Sequence, residues 1–169
     1  MRFVVNLANG STLAGVAIGL AGGARLARAP EGLLTGTGYR LPVPPVPAFT
    51  LGSVILTHRD SLPADSALFR HEARHSTQYA WCGGVLMLPF YFAAAGASWI
   101  LSGDVGAWNV FERRAGLADG GYSDVPLRPV FRGRQCEPSQ PAPPAAVADG
   151  HGHGPGPAER AGSSASPSR

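Results

Sequence analysis

Two histidines and a glutamate in the middle of the chain have a spacing that could support metal chemistry. Residues 71–75 read His-Glu-Ala-Arg-His. In a helix, the side chains of His71 and His75 leave the same face about one turn apart, so that their nitrogens can reach one metal ion. Glu72 then lies beside the metal, where a carboxylate can take a proton from a water that zinc has made acidic. Glu72 is therefore the candidate general base, and a third ligand is required.

The residues around this motif favour a helix. Asp65 or Ser66 can cap its first turn after Pro63, and Gly83-Gly84 can end it. The pattern predicts a helix over residues 67–81. A surface helix with both histidines on a polar face would have the same sequence, so the motif alone leaves a purely structural alternative open.

The third metal ligand should be an acidic residue after the motif. The downstream candidates are Asp104, Glu112, Asp119, Asp124 and Glu137. Glu112 is the best placed, because residues 107–119 can form a helix with an apolar face, and Ala115, one turn after Glu112, leaves room for the motif helix. Three protein ligands and one water complete a catalytic zinc site. The alternative is that Glu112 only pairs with Arg113 or another arginine at the surface.

The two motifs together, His71-Glu72-x-x-His75 and Glu112-x-x-Ala115, resemble the gluzincin branch of the zincin metallopeptidases. The resemblance covers about residues 49–119. It implies an α+β, minimal zincin-like domain, in which a strand precedes the motif helix and a hydrophobic helical segment precedes a second ligand helix. It further implies Zn²⁺ bound by His71, His75 and Glu112, Glu72 as the base, and a peptide or protein as substrate. Residues 105–122 are also similar to small uncharacterised bacterial proteins with the same histidine motif.

The chain departs from the gluzincin pattern immediately after Ala115. The family has an aspartate there, which orients a ligand histidine, and this chain has Gly116. Asp119, near the same helical face, is the candidate to take over that role. For stabilising an oxyanion the sequence offers four candidates, which are Tyr79, Tyr122, Arg74 and His58.

Composition predicts one domain with a tail. Residues 1–133 are expected to form a single domain with its core in 49–122. Residues 134–169 are rich in Pro, Ala, Gly and Ser and are expected to be disordered, with His151 and His153 at most weak metal scavengers.

All 14 basic residues are arginines, without a basic run interleaved with aromatics, so nucleic-acid binding is not expected. Cys82 and Cys136 do not make a disulfide framework, and Cys82 is expected to be a buried apolar residue.

Three other segments bear on organisation. Residues 3–20 favour a short strand, a turn at Asn9-Gly10 and a helix, with a signal peptide or a membrane span as the alternatives. Residues 48–57 are the best strand, and its edge could bind an extended peptide beside the metal site.

Residues 83–101 carry no charge, but a single membrane crossing there would separate Glu112 from the histidines by about 30 Å of hydrocarbon. A buried or interfacial helix pair, broken at Pro89 or Gly96, is therefore expected.

These patterns leave three functional hypotheses. The first is a zinc metallopeptidase, which could be cytoplasmic or associated with a membrane surface. The second is a non-catalytic, membrane-associated protein in which the motif is incidental. The third is an inactive relic that binds metal, which Gly116 suggests.

Overall fold

The chain forms helices and one four-stranded sheet, so the predicted α+β class is confirmed. A computed structural model describes residues 1–132, so the tail expected over 134–169, with Cys136, His151 and His153, lies outside the described residues. The element bounds are α1 Arg2–Ala8, α2 Ser11–Ala21, β1 Arg25–Ala29, β2 Leu33–Thr37, β3 Ala48–Leu51, β4 Val54–Thr57, α3 Ala67–Trp81, α4 Met87–Ser102 and α5 Val110–Ala115. Short 3₁₀ turns occupy Pro30–Gly32 and Gly84–Leu86.

The sheet has the strand order β1-β2-β4-β3, which makes β3 an edge strand. The β1–β2 and β3–β4 pairs are antiparallel, and the β2–β4 pair is parallel. The expected strand over 48–57 is therefore two strands, because the chain reverses at Gly52-Ser53. Gly52 has φ +61°, a left-handed conformation that suits the first position of a tight hairpin.

Both faces of the sheet are covered by helices. On one face, Ile55 and Leu33 pack against Phe69 and Ala73 of the motif helix α3. On the other face, α2 lies close to β4 because two of its contact residues are glycines: a Cβ on Gly15 would lie 2.6 Å from the Leu51 carbonyl oxygen. A Cβ on Gly19 would likewise lie 2.9 Å from a Leu56 methyl carbon, so both glycines serve the close packing of α2 on the sheet.

The first residues form a helix, α1, so the short strand expected there is wrong. The reason is a tertiary contact: the Asn6 amide is fully buried and donates to Ser53 Oγ and to the Ser76 carbonyl oxygen. The expected turn at Asn9-Gly10 is confirmed, and α1 and α2 meet there at a bend of 79°. By length and composition, these two helices together are long and apolar enough to form a broken membrane span.

The motif helix has the predicted bounds, and Ser66 is its cap. The Ser66 hydroxyl accepts a hydrogen bond from the Phe69 N–H at 3.1 Å. The second ligand helix, α5, is shorter than the predicted span of 107–119. It begins after Asn109, whose side chain accepts from the Phe111 N–H, and it ends before Gly116 at φ +91°.

The uncharged segment is one helix, α4, and the break expected at Pro89 or Gly96 is absent. Pro89 is the third residue of α4, where the missing N–H has no partner within the helix in any case. Residues Gly84–Ser102 are long and apolar enough to span a membrane, and 17% of that window is buried. The segment is therefore largely exposed within the described residues, which differs from a buried helix pair.

Gly52 and Gly10 provide a matched test of the hairpin. Both have positive φ, but a Cβ at Gly52 would lie 2.4 Å from Thr12 N, whereas a Cβ at Gly10 meets nothing within 4 Å. We expect Gly10→Ala to lower the free energy of unfolding by about 1 kcal/mol through backbone strain alone. We expect Gly52→Ala to lower it by about 3 kcal/mol, because steric overlap adds to the strain. Urea unfolding of both variants measures the difference, and equal losses would contradict this account of the hairpin.

Candidate metal centre

The three expected metal ligands converge in the interior. His71 Nε2 lies 3.0 Å from His75 Nε2 and 3.1 Å from Glu112 Oε2, and His75 Nε2 lies 3.6 Å from the same carboxylate oxygen. All three side chains are buried. The two histidines come from α3 and the glutamate from α5, as their spacing and the apolar face of α5 predict.

The outer nitrogens of both imidazoles fix their tautomers. His71 Nδ1 lies 3.0 Å from the Gly116 carbonyl oxygen, and His75 Nδ1 lies 2.8 Å from Gln78 Oε1. Both oxygens only accept, so each Nδ1 carries the hydrogen. The Gln78 orientation is set by its own Nε2, which donates to the Phe111 carbonyl oxygen. In the neutral rings, each Nε2 therefore presents a lone pair to the centre.

The resulting cluster fits a small cation. Two nitrogen lone pairs and a carboxylate oxygen face one another, and Glu112 Oε2 is buried without a hydrogen-bond donor. Such an arrangement is repulsive unless a positive charge lies between the atoms. Ligands at zinc–nitrogen distances of about 2.05 Å and tetrahedral angles would be about 3.3 Å apart. The observed 3.0–3.6 Å separations bracket that distance.

Glu112 is oriented from two sides. Its Oε1 accepts a hydrogen bond from the Tyr91 hydroxyl of α4, while Oε2 faces the histidines. Burial tends to raise the pKa of Glu112, but the adjacent imidazoles of His71 and His75 and the Tyr91 hydroxyl outweigh it and hold the pKa at about 2. The residue is therefore a carboxylate at neutral pH, which is the form that binds metal.

Glu72 lies buried beside the ligands and is held by the edge strand. Its Oε2 accepts a hydrogen bond of 2.7 Å from the Thr50 hydroxyl of β3. Burial raises the pKa of the Glu72 carboxyl, and the nearby histidines and Thr50 oppose that shift. The arrangement anchors one oxygen of the candidate base to the sheet.

Asp119 does not take the role expected for it. Its carboxylate binds Arg74 at 2.7 Å and lies 3.8 Å from Arg70, whereas the Gly116 carbonyl oxygen holds His71. A Cβ at Gly116 would lie 2.6 Å from Arg74 Nη1, and its φ of +91° favours glycine. The backbone carbonyl oxygen of Gly116 therefore orients the His71 imidazole, at the position where the gluzincin pattern has an aspartate carboxylate.

Of the four oxyanion candidates, Tyr122 is the one that lies against a candidate metal ligand, His71, while the other three have different contacts. Its ring centroid is 6.2 Å from that of His71. Arg74 is bound to Asp119 and to the Ala115 carbonyl oxygen, and Tyr79 is buried in an apolar cluster with Leu51. His58 packs on Tyr39, away from the centre. Cys82 is half-buried at the edge of the Tyr79 cluster.

Sequence reasoning missed three residues that support the ligands. Gln78 lies one turn after His75, and a polar residue at that spacing was a usable signal. Tyr91 is the sole phenol of the uncharged segment, which also made it a candidate for a buried partner. Gly120 gave no signal, but it lies so close that a Cβ there would be 2.4 Å from the His71 ring.

Comparisons with known proteins add no family. No protein-family model matches the chain, and neither a curated protein nor a solved structure matches it. The functional argument therefore depends on the geometry of the site.

Metal content tests the ligand set. We expect the purified chain, after dialysis against metal-free buffer, to retain about one zinc ion, because three convergent protein ligands and one water complete a zinc site. His75→Ala and Glu112→Ala should each lose it. Asp119→Ala is the matched control and should keep it, since Gly116 holds His71. Elemental analysis of the folded variants measures this, and loss of zinc in the Asp119 variant would contradict the assignment of Gly116.

Zinc affinity tests the role of Gln78. Gln78→Met keeps the length of the side chain and removes the acceptor for the His75 Nδ1 hydrogen. Loss of such a partner weakens metal affinity by about 10–100-fold, and we expect a loss of that size here. Competition with a chromophoric chelator measures it. Unchanged affinity in a folded variant would show that this hydrogen bond does not set the orientation of His75.

Proposed function

We propose that the chain is a zinc-dependent metallopeptidase with a minimal zincin-like domain. The observation that supports it most is the cluster of three electron-rich atoms, with the orphaned Glu112 Oε2 among them, beside the buried carboxylate of Glu72. In the proposal His71, His75 and Glu112 hold the zinc ion. A closed structural site would not need a further buried carboxylate next to its ligands, whereas a hydrolytic site needs a base there.

The residues have distinct roles in the proposed reaction. His71, His75 and Glu112 would hold the zinc ion, which would supply the Lewis acidity that activates water and polarises a carbonyl. Glu72 accepts the proton of the attacking water as the new carbon–oxygen bond forms. It then gives that proton to the amine as the peptide carbon–nitrogen bond breaks, so that one water is consumed per bond. Thr50 keeps the carboxylate in place during both transfers.

The edge strand β3 offers a place for an extended peptide. In the register Leu51↔Val54 and Thr50↔Ile55, the residues next to the turn are hydrogen-bonded to each other. Thr50 therefore directs its backbone N–H and C=O away from β4. A peptide that added to this edge would run beside Glu72, because the Thr50 side chain contacts that carboxylate.

Glu72→Gln tests the proposed chemistry separately from metal binding. The substitution keeps the size of the side chain and removes the base, while leaving all three proposed ligands intact. We expect bound zinc to stay near one ion per chain and hydrolysis to fall by about 10²–10⁴-fold. The measurement is cleavage of a mixture of internally quenched peptides, with zinc determined on the same samples.

Thr77→Val, on the same helix but outside the site, is the control and should keep its activity. Hydrolysis that is unchanged in Glu72→Gln would contradict Glu72 as the base. Stoichiometric zinc without any chelator-sensitive cleavage by the wild type would favour the inactive relic. A folded chain without zinc would favour the non-catalytic, membrane-associated alternative.

A further inference from the structure

The outward face of α4 is apolar along its whole length. The large residues exposed on this helix and the 3₁₀ turn before it are Val85, Leu86, Phe90, Phe92, Trp99 and Ile100. Between them lie Pro89, Ala93, Gly96 and Ala97, which are also exposed. Apart from the Trp99 indole N–H, no side chain on this face can make a hydrogen bond. We call these ten residues the α4 face.

The opposite side of α4 is fixed to the domain by polar contacts. Tyr91 donates to Glu112, and Ser98 Oγ donates to the Asp104 carbonyl oxygen at 2.6 Å and accepts from the Trp108 N–H at 2.8 Å. Tyr91 and Ser98 lie two turns apart on a helix that at 16 residues is about 24 Å long. Because one side of α4 is held by these contacts, the α4 face on the other side is left exposed along the helix.

Tryptophan and arginine lie at the end of the α4 face. The Arg128 guanidinium stacks over the Trp99 ring, 5.4 Å from its centroid. Within residues 1–132, Arg128 forms no salt bridge. The other two tryptophans flank the helix in sequence, and Trp81 is 86% exposed. An amphipathic indole ring beside a guanidinium group without a carboxylate partner is typical of the headgroup level of a bilayer.

We propose that the α4 face docks on the surface of an anionic lipid bilayer, with α4 in the plane of the interface. A contact with a second protein would be expected to mix polar groups into the surface at its rim, and this face has none along the helix. Arg128 at its end complements lipid phosphates. In-plane insertion also leaves the hydrogen bonds of Tyr91 and Ser98 intact, whereas a crossing would take them into hydrocarbon.

Docking in this way has a consequence for substrates. Tyr91 joins α4 directly to Glu112, so the metal centre would lie about one helix diameter, roughly 10 Å, from the bilayer surface. Peptides held near a membrane would then be the substrates within reach. This consequence rests on the proposed function, whereas the docking surface does not.

Co-sedimentation of the full chain with vesicles tests the proposal. We expect binding to phosphatidylcholine vesicles that contain a quarter phosphatidylglycerol. Phe92→Glu and Ile100→Glu should each lower the partition coefficient by about tenfold, because each places a charge in the apolar layer. Arg128→Ala should lower it by about fivefold on the anionic vesicles and less on pure phosphatidylcholine.

Val43→Glu is the matched control, because Val43 is 68% exposed and Phe92 is 66% exposed. It makes the same change in charge on the segment between β2 and β3, and binding should stay within about twofold of wild type. Absence of vesicle binding by the wild type would overturn the proposal. So would an equal loss in the Val43 variant, or a dimer in solution that Phe92→Glu abolishes without any lipid binding. Vesicle binding by a wild-type chain that shows no chelator-sensitive hydrolysis would uphold docking while the proposed function failed.

Discussion

The site depends on one electrostatic constraint, which is that three buried electron-rich atoms face one another and repel unless positive charge lies between them. His71 and His75 each use Nδ1 as a donor, so their Nε2 lone pairs and Glu112 Oε2 face one another at 3.0–3.6 Å. Burial excludes the water that would otherwise screen them. A metal ion satisfies all three atoms together, and its binding energy would then contribute directly to the stability of the α3–α5 contact.

Each group in the centre is oriented by a different part of the fold. The loop after α5 holds His71, Gln78 of α3 holds His75, α4 holds Glu112 and the edge strand β3 holds Glu72. Because Gln78 donates to the Phe111 carbonyl oxygen and Arg74 donates to the Ala115 carbonyl oxygen, α3 and α5 share two hydrogen-bonded connections. The centre is thereby coupled to α4, whose other face is apolar and exposed. Membrane docking and metal binding would act on the same helix from opposite sides.

The sequence predicted which candidate ligands converge better than it predicted the residues that hold them. Spacing is enough to place two histidines on one turn, and the apolar face of residues 107–119 indicated that Glu112 points inward. The roles of Gly116 and Asp119 were not accessible, because a backbone carbonyl leaves no mark in the sequence and a left-handed residue moves Asp119 off the helical face. The strand expected at residues 3–8 is helical because burial of Asn6 against Ser53 and Ser76 overrides local propensity. Likewise, Gly52 divides the strand expected over 48–57.

X-ray absorption at the zinc edge of the purified, metal-loaded chain tests the central claim most directly, because it reports the atoms bound to the metal. The account predicts a first shell of nitrogen and oxygen at about 2.0–2.1 Å, with the outer-shell scattering of two imidazole rings. It also predicts loss of one imidazole contribution in His75→Ala. A shell that contains sulfur, or one without imidazole scattering, would show that the metal binds elsewhere and would contradict the assignment of His71, His75 and Glu112 as ligands.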